Sequence, residues 1–300
     1  MYSVPDQHGR RIIVTGANSG TGKEATRRLA AAGATVVMAV RTLSKGEAAR
    51  DEILREVPNA ELELERLDLA DLTSVSDFVS RVTSGGRPVD TLVNNAGVMA
   101  PPRREVTADG FELQFGSNFL GPFALTNQLL PTILKSRTPR IVTMSSSAAN
   151  GGRINWEDPN WEHGYNALRA YGQSKLADAV MGIHLADLSK ANGWGLVSNL
   201  AHPGYTRTNL LLAGPNMGSS KTERPFMYRF FPSMDVTQGT EPLLHAAAEP
   251  ASGSVHYFGP RWFLVGDTHH ARLPRRATKV DAARLWALAE KLTGTSTSTP

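Results

Sequence analysis

The sequence predicts an α/β protein built on a doubly wound parallel sheet, and three observations carry that expectation. Short, nearly all-apolar runs such as Arg11–Thr15 and Thr35–Val40 alternate with longer amphipathic segments over the first 200 residues. Strands that are apolar on both faces belong to a parallel sheet with helices covering both sides. A glycine-rich turn, Thr15–Gly22, joins the first strand to the first helix, where such a fold places a ligand.

The elements follow in chain order. Arg11–Thr15 reads as a strand and Gly22–Ala32 as a helix ended by Gly33. Thr35–Val40 is the second strand, and Lys45–Val57 a charged helix. Glu61–Asp68 is the third strand, followed by a helix over Thr73–Thr83 with Thr73 or Ser74 near its cap. Asp90–Asn94 is the fourth strand, and a long helical stretch covers about Gly110–Ser136. Arg140–Ser145 is the fifth strand, Ala167–Asn192 a helix and Leu196–Ala201 the sixth strand. Gly and Pro gather in Pro203–Gly218 and Pro250–Gly266, which read as loops near the carboxyl edge of the sheet. No repeat or linker marks a boundary, so one domain over residues 9–292 is expected, with Thr293–Pro300 a disordered, low-complexity tail.

Composition narrows the chemistry. Of 300 residues 41% are hydrophobic, enough for a sizeable core, and the formal charge of +4 is too small and scattered to imply nucleic acid. The chain has no cysteine, which removes thiol nucleophiles, disulfides, iron–sulfur clusters and Cys-ligated zinc together. His269 and His270, with Arg272, Arg275, Arg276 and Lys279, read as a basic solvated loop rather than a metal site, because they lack spaced partners. His202, beside Pro203, reads as a packed loop residue. The N-terminus lacks a signal-peptide pattern and no apolar run approaches the ~20 residues of a membrane span. A soluble, cytoplasmic protein without membrane partners is expected.

Within the glycine turn, Gly20-x-Gly22-x-x-Ala25 satisfies the dinucleotide-binding pattern of the Rossmann fold, with Gly16 ahead of it. Glycines let the backbone approach a pyrophosphate, whose charge meets the helix N-terminus. A P-loop is excluded: Ala17 stands where its first Gly belongs, and Glu24 where Mg²⁺ needs Ser or Thr. The second strand ends at Val40-Arg41 where an NAD site wants Asp or Glu for the ribose 2′-hydroxyl. Arg41 pairs instead with a 2′-phosphate, so NADP(H) is favoured over NAD(H). Tyr171 and Lys175 fall at i and i+4, on one helix face. A free phenol holds its proton to a pKa near 10, and a neighbouring ammonium favours the phenolate.

Together these residues resemble the short-chain dehydrogenase/reductase family over about residues 9–210. Thr15–Gly22 matches its TGxxxGxG loop, with Gly16, Asn18, Ser19, Gly20, Thr21 and Gly22 toward the cofactor. Asp68-Leu69 matches the pair that holds the adenine, and Asn94-Asn95-Ala96-Gly97 the NNAG motif after the fourth strand. Asn118 matches the helix asparagine, Ser146 the serine ending the fifth strand, and Tyr171 with Lys175 the YxxxK pair. Pro203-Gly204-Tyr205-Thr206-Arg207-Thr208 matches the PG motif, which adds Pro203, Gly204, Thr206 and Thr208 to the cofactor site. Ser146 is preferred among the serines Ser145–Ser147 because it aligns with the second serine of a VSS pattern. The insert Gly151–Arg169, which sets Ser146 and Tyr171 25 residues apart, resembles that of the retinol-dehydrogenase-like branch, as does Arg41-Thr42-x-x-Lys45-Gly46-Glu47.

The resemblance implies hydride exchange between NADP(H) and a small-molecule carbonyl or alcohol. Tyr171 would give or take the proton, Ser146 would bond the substrate oxygen, Lys175 would lower the Tyr171 pKa and bond the ribose, and Asn118 would hold a relay water. It also implies a substrate lid at about 205–235, where Leu210, Leu211, Leu212, Met217, Phe226, Met227, Tyr228, Phe230, Phe231 and Met234 suggest an apolar pocket. Family relatives are often dimers or tetramers, so a homo-oligomer stays open. Two other readings are weighed: a non-catalytic nicotinamide sensor, which needs no Tyr proton donor, and a sugar-nucleotide epimerase or dehydratase, which usually carries a larger C-terminal domain. No G-x-S-x-G occurs to support a Ser-His-Asp hydrolase.

Overall fold

The computed structural model describes residues 2–208, 232–249 and 255–297. Its strands are β1 (Arg11–Thr15), β2 (Thr35–Val40), β3 (Glu61–Arg66), β4 (Thr91–Asn94), β5 (Arg140–Met144), β6 (Val197–Ala201), β7 (Tyr257–Pro260) and β8 (Thr268–His270). The helices are α1 (Gly20–Ala31), α2 (Leu43–Glu56), α3 (Leu72–Thr83), α4 (Gly121–Ile133), α5 (Ala167–Asn192), α6 (Val236–Ala248) and α7 (Ala282–Thr293). One sheet runs in the order β3-β2-β1-β4-β5-β6-β7-β8. It is parallel except for the final pair, β7 with β8. This is a Rossmann-like α/β fold. The order reverses direction between β1 and β4, and ligands of open α/β sheets bind at the carboxyl ends of the strands beside such a switch.

Alternate residues of β1, β2, β4 and β5 feed two cores. Ile13, Val37, Leu92 and Ile141 face α3, α4, α5 and α7, while Ile12, Val36, Val93 and Val142 face α1, α2 and α6. Burial on both faces is why these strands read as unbroken apolar runs.

Three local departures from the sequence reading have physical reasons. The first is the cap of α3, which is Asp71 rather than Thr73 or Ser74. The Asp71 carboxylate accepts from the Thr73 and Ser74 amides at 2.9 and 3.2 Å, and its charge complements the helix N-terminus. Ser74 instead accepts from the Asp68 amide at 3.0 Å. The second is the stretch after Gly110, which is not one α-helix. Gly110 turns with φ of +84°, Val106 bridges to Glu112, and Phe115–Leu120 forms a π-helical turn leading into α4. The third lies C-terminal to β6, where the expected loops hold structure. β7 falls inside Pro250–Gly266, and His269 and His270 belong to β8, which adds an antiparallel edge to β7 instead of forming a free loop. Thr293 closes α7, and Asn127 donates to Thr295 Oγ1 at 3.5 Å.

Candidate active site

The glycine turn leaves β1 at its carboxyl end. Gly16 has φ of +68°, a conformation that a side chain disfavours. A Cβ on Gly22 would stand 2.3 Å from the Gly16 carbonyl oxygen and 2.5 Å from Asn95 Nδ2, so only glycine lets the helix start this close to the turn. The NNAG segment after β4 braces the turn. Thr15 Oγ1 accepts from the Asn95 and Ala96 amides, both at 3.0 Å, Asn95 Nδ2 donates to the Thr15 carbonyl at 2.9 Å, and Thr21 Oγ1 donates to Asn95 Oδ1 at 2.8 Å. Ser19 sits at the N-cap of α1 without a side-chain cap bond, so the first amides of α1 are not taken up by a cap. Asn18 and Ser19 remain partly exposed on the turn. The cradle therefore has the shape and free donors that a dinucleotide pyrophosphate needs.

The other predicted cofactor residues lie around this edge. Arg41 is exposed just past β2 and makes no ion pair or hydrogen bond among the described residues. Asp68 Oδ1 accepts from the Ala70 amide at 3.0 Å, and the Leu69 carbonyl lies against Gly121. After β6, Pro203 accepts from Thr206 Oγ1 at 2.5 Å, Gly204 lies under Leu264, and Thr206 bridges to Met234. Thr208 reaches the glycine turn itself: its Cβ and Cγ2 lie 3.4 Å from where a Gly20 Cβ would be. Of the expected lid at about 205–235, residues 209–231 lie outside the described residues; of its apolar set, Met234 is described and buried. His202 is packed beside Tyr257 and Phe263, and burial, with His269 nearby, pushes its imidazole down to about 4, which keeps it neutral at pH 7.

The proposed catalytic side chains come from β5, α5 and the π-helical turn. Tyr171 packs its ring on Met99 and Ala100, and its hydroxyl makes no hydrogen bond among the described residues. Ser145 is buried and donates to the Lys175 carbonyl at 2.8 Å. Ser146 is partly exposed at the end of β5; its Oγ accepts from the Ala148 amide at 3.2 Å and keeps its proton to donate. Asn118 is engaged at both ends of its amide: Oδ1 accepts from the Val98 amide at 2.7 Å, while Nδ2 donates to the Val98 carbonyl and Ser174 Oγ, both at 2.9 Å. Its amide thus clamps the segment after Gly97.

Lys175 is buried, and its ammonium donates to the Met144 carbonyl at 2.9 Å and to Asp178 Oδ2 at 2.8 Å. A third ammonium proton remains. Burial alone would lower the Lys175 pKa, but Asp178 and Tyr171 outweigh it and hold the group above its ordinary value. Asp178, also buried, is pushed up to about 6 by burial against the pull of Lys175. Sequence reasoning missed Asp178. Its spacing, i+3 from Lys175 and i+7 from Tyr171, puts all three on one helix face, and that was the available signal.

Comparison with known proteins agrees with this geometry. The family model for short chain dehydrogenase matches residues 10–213. Human retinol dehydrogenase 13 is 38% identical over 293 residues, covering 95% of this chain and 85% of that protein. A solved structure from Mycobacterium paratuberculosis is 38% identical with a TM-score of 0.80, covering 99% of this chain and 97% of that one. Another, from Beutenbergia cavernae with bound NADP, is 26% identical with a TM-score of 0.64, covering 84% of this chain and 96% of that one.

Proposed function

The chain belongs to the short-chain dehydrogenase family, in its retinol-dehydrogenase-like branch, and from that premise we propose that it interconverts an apolar aldehyde or ketone with its alcohol, preferring NADP(H). NADPH bound along the glycine turn would supply the hydride. Tyr171 donates its proton to the carbonyl oxygen, and the free Ser146 proton bonds that same oxygen and orients it. A positioned proton donor of this kind contributes roughly 10²–10⁴-fold. Lys175 keeps a positive charge on the Tyr171 face of α5, and its remaining proton suits a ribose hydroxyl. Asn118 would hold the relay water.

The apolar substrate is supported by the lid composition and by the retinol named for a relative 38% identical. The observation that carries the cofactor preference is Arg41, an unpaired guanidinium at the end of β2 where an NAD site wants a carboxylate. Steady-state oxidation of NADPH and NADH across a panel of apolar aldehydes tests the reading. The wild type is expected to favour NADPH. Arg41→Ala is expected to lower kcat/KM for NADPH by roughly 10–150-fold, the worth of hydrogen bonds to a charged group, and to leave the NADH value within a few-fold. A wild-type preference for NADH would overturn the assignment.

A further inference from the structure

The ion pair under the Tyr171 face of α5 asks for an explanation that packing does not supply. Lys175 and Asp178 are exposed by only 4% and 1%, and their charged atoms are 2.8 Å apart. Replacing a buried pair with apolar residues is often neutral or stabilising, so such a pair is weak evidence of a role in stability. The pairing is also lopsided. Among the described residues Asp178 Oδ1 has no hydrogen-bond partner, whereas the ammonium is held on two sides with its third proton unused. The geometry thus serves the lysine at the expense of the aspartate.

Among the described residues Asp178 is the one carboxylate paired with the Lys175 ammonium. β5 presents the Met144 carbonyl and Ser145, the latter spent on the Lys175 carbonyl. The π-helical turn presents Asn118, which is neutral and lies against the same Gly97 that the ammonium approaches. β7 presents the Tyr257 phenol toward Ser145, and burial pushes that phenol above its ordinary range. Tyr171, one turn before Lys175, is the group to be served.

We propose that Asp178 is a positioning residue for the reaction: its carboxylate supplies the counter-charge that lets Lys175 stand as an ammonium in a fully buried place, fixed on the Tyr171 face with one proton to spare. The proposal rests on the Tyr171–Lys175 assignment above for its effect on turnover, but the ion pair can be tested without turnover.

The test is thermal stability against pH for the wild type and Asp178→Asn. With Asp178 present, Lys175 binds its proton more tightly folded than unfolded, so it costs the fold nothing until pH exceeds the ordinary lysine value. With Asn there, burial pulls the folded value below the unfolded one. The unfolded chain then binds the extra proton, and stability of the variant rises with pH. The gap in Tm between wild type and variant should therefore be largest near pH 7 and narrow by about 2 °C per pH unit once Lys175 titrates, before pH 10. A gap that stays constant from pH 7 to 10 means a purely structural hydrogen bond and overturns the proposal.

Should Asp178→Asn not fold, Lys175→Met reads the same pair from the other side. It strands a buried carboxylate, so its Tm should fall from pH 5 to pH 8, and adding Asp178→Asn should raise Tm at pH 8. A lower Tm for the double variant overturns the proposal. In turnover, Asp178→Asn should lower kcat for alcohol oxidation at least 10-fold at pH 9–10, while KM for the alcohol stays within about 2-fold. A narrowing Tm gap in a protein that turns over no carbonyl or alcohol would uphold the ion pair and remove the proposed function.

Discussion

Ser145 and Ser146 are adjacent in sequence and opposite in circumstance. Ser145 spends its proton on a helix carbonyl inside the sheet, while Ser146 keeps its proton at the open end of β5. Ser146→Ala is expected to lower kcat by about 10²–10³-fold, the usual worth of one donor to a developing oxyanion. Ser147→Ala should stay within a few-fold, and Ser145→Ala should act through stability; kcat for each variant beside its Tm checks the assignment. At this scale the sequence was informative about residue type and spacing but not about commitment. The run Ser145–Ser147 shows three similar hydroxyls, and only the fold reveals which proton is taken. Asn118 is a similar case: its place in the motif is legible, whereas the closure of its amide on Val98 and Ser174 is not. Asp178 was hidden for another reason. An Asp three residues after a Lys is usually a solvated helix pair, and nothing local says that α5 is buried along this face.

Elements were legible where one period dominated. β1, β2 and α5 span the residues that the sequence reading gives them, and the structure adds Asn166 and Gly193 as the caps of α5. The stretch from Gly110 to α4 was harder, because a π-helical turn has nearly the composition of an α-helix and differs only in hydrogen-bond register. The glycine turn is the element whose geometry matters most for the cofactor. A methyl group on Gly22 meets the Gly16 carbonyl at 2.3 Å, too close without opening the turn. Gly22→Ala is expected to weaken NADPH binding by roughly 5–150-fold, the range of overpacking costs. Gly85→Ala, where a Cβ meets nothing within 4 Å, should leave it unchanged. Fluorescence titration with NADPH checks both, and equal affinities would contradict a cofactor seated on this turn.

Across the whole molecule, the sheet order brings the glycine turn, the NNAG segment, Ser146 and the PG segment to one carboxyl edge, although they span residues 15–208. That convergence was legible because each motif follows a strand. The C-terminal part was not: α6 contains Gly239 and Pro242, β7 ends in Gly259-Pro260, and β8 is three polar residues at an edge. These elements take their order from pairing and packing against β6 and α1, which no local pattern announces. α6 closes one core and α7 the other, so the segment completes both faces of the sheet. The proposed chemistry rests on a phenol as proton donor, which needs neither sulfur nor metal. Its most direct test is the rate of NADPH-dependent aldehyde reduction by the wild type and by Tyr171→Phe, which keeps the ring packed on Met99 and Ala100 and removes only the hydroxyl. A loss of roughly 10²–10⁴-fold in kcat is expected, with an unchanged fold and NADPH affinity. Undiminished turnover by Tyr171→Phe would contradict it.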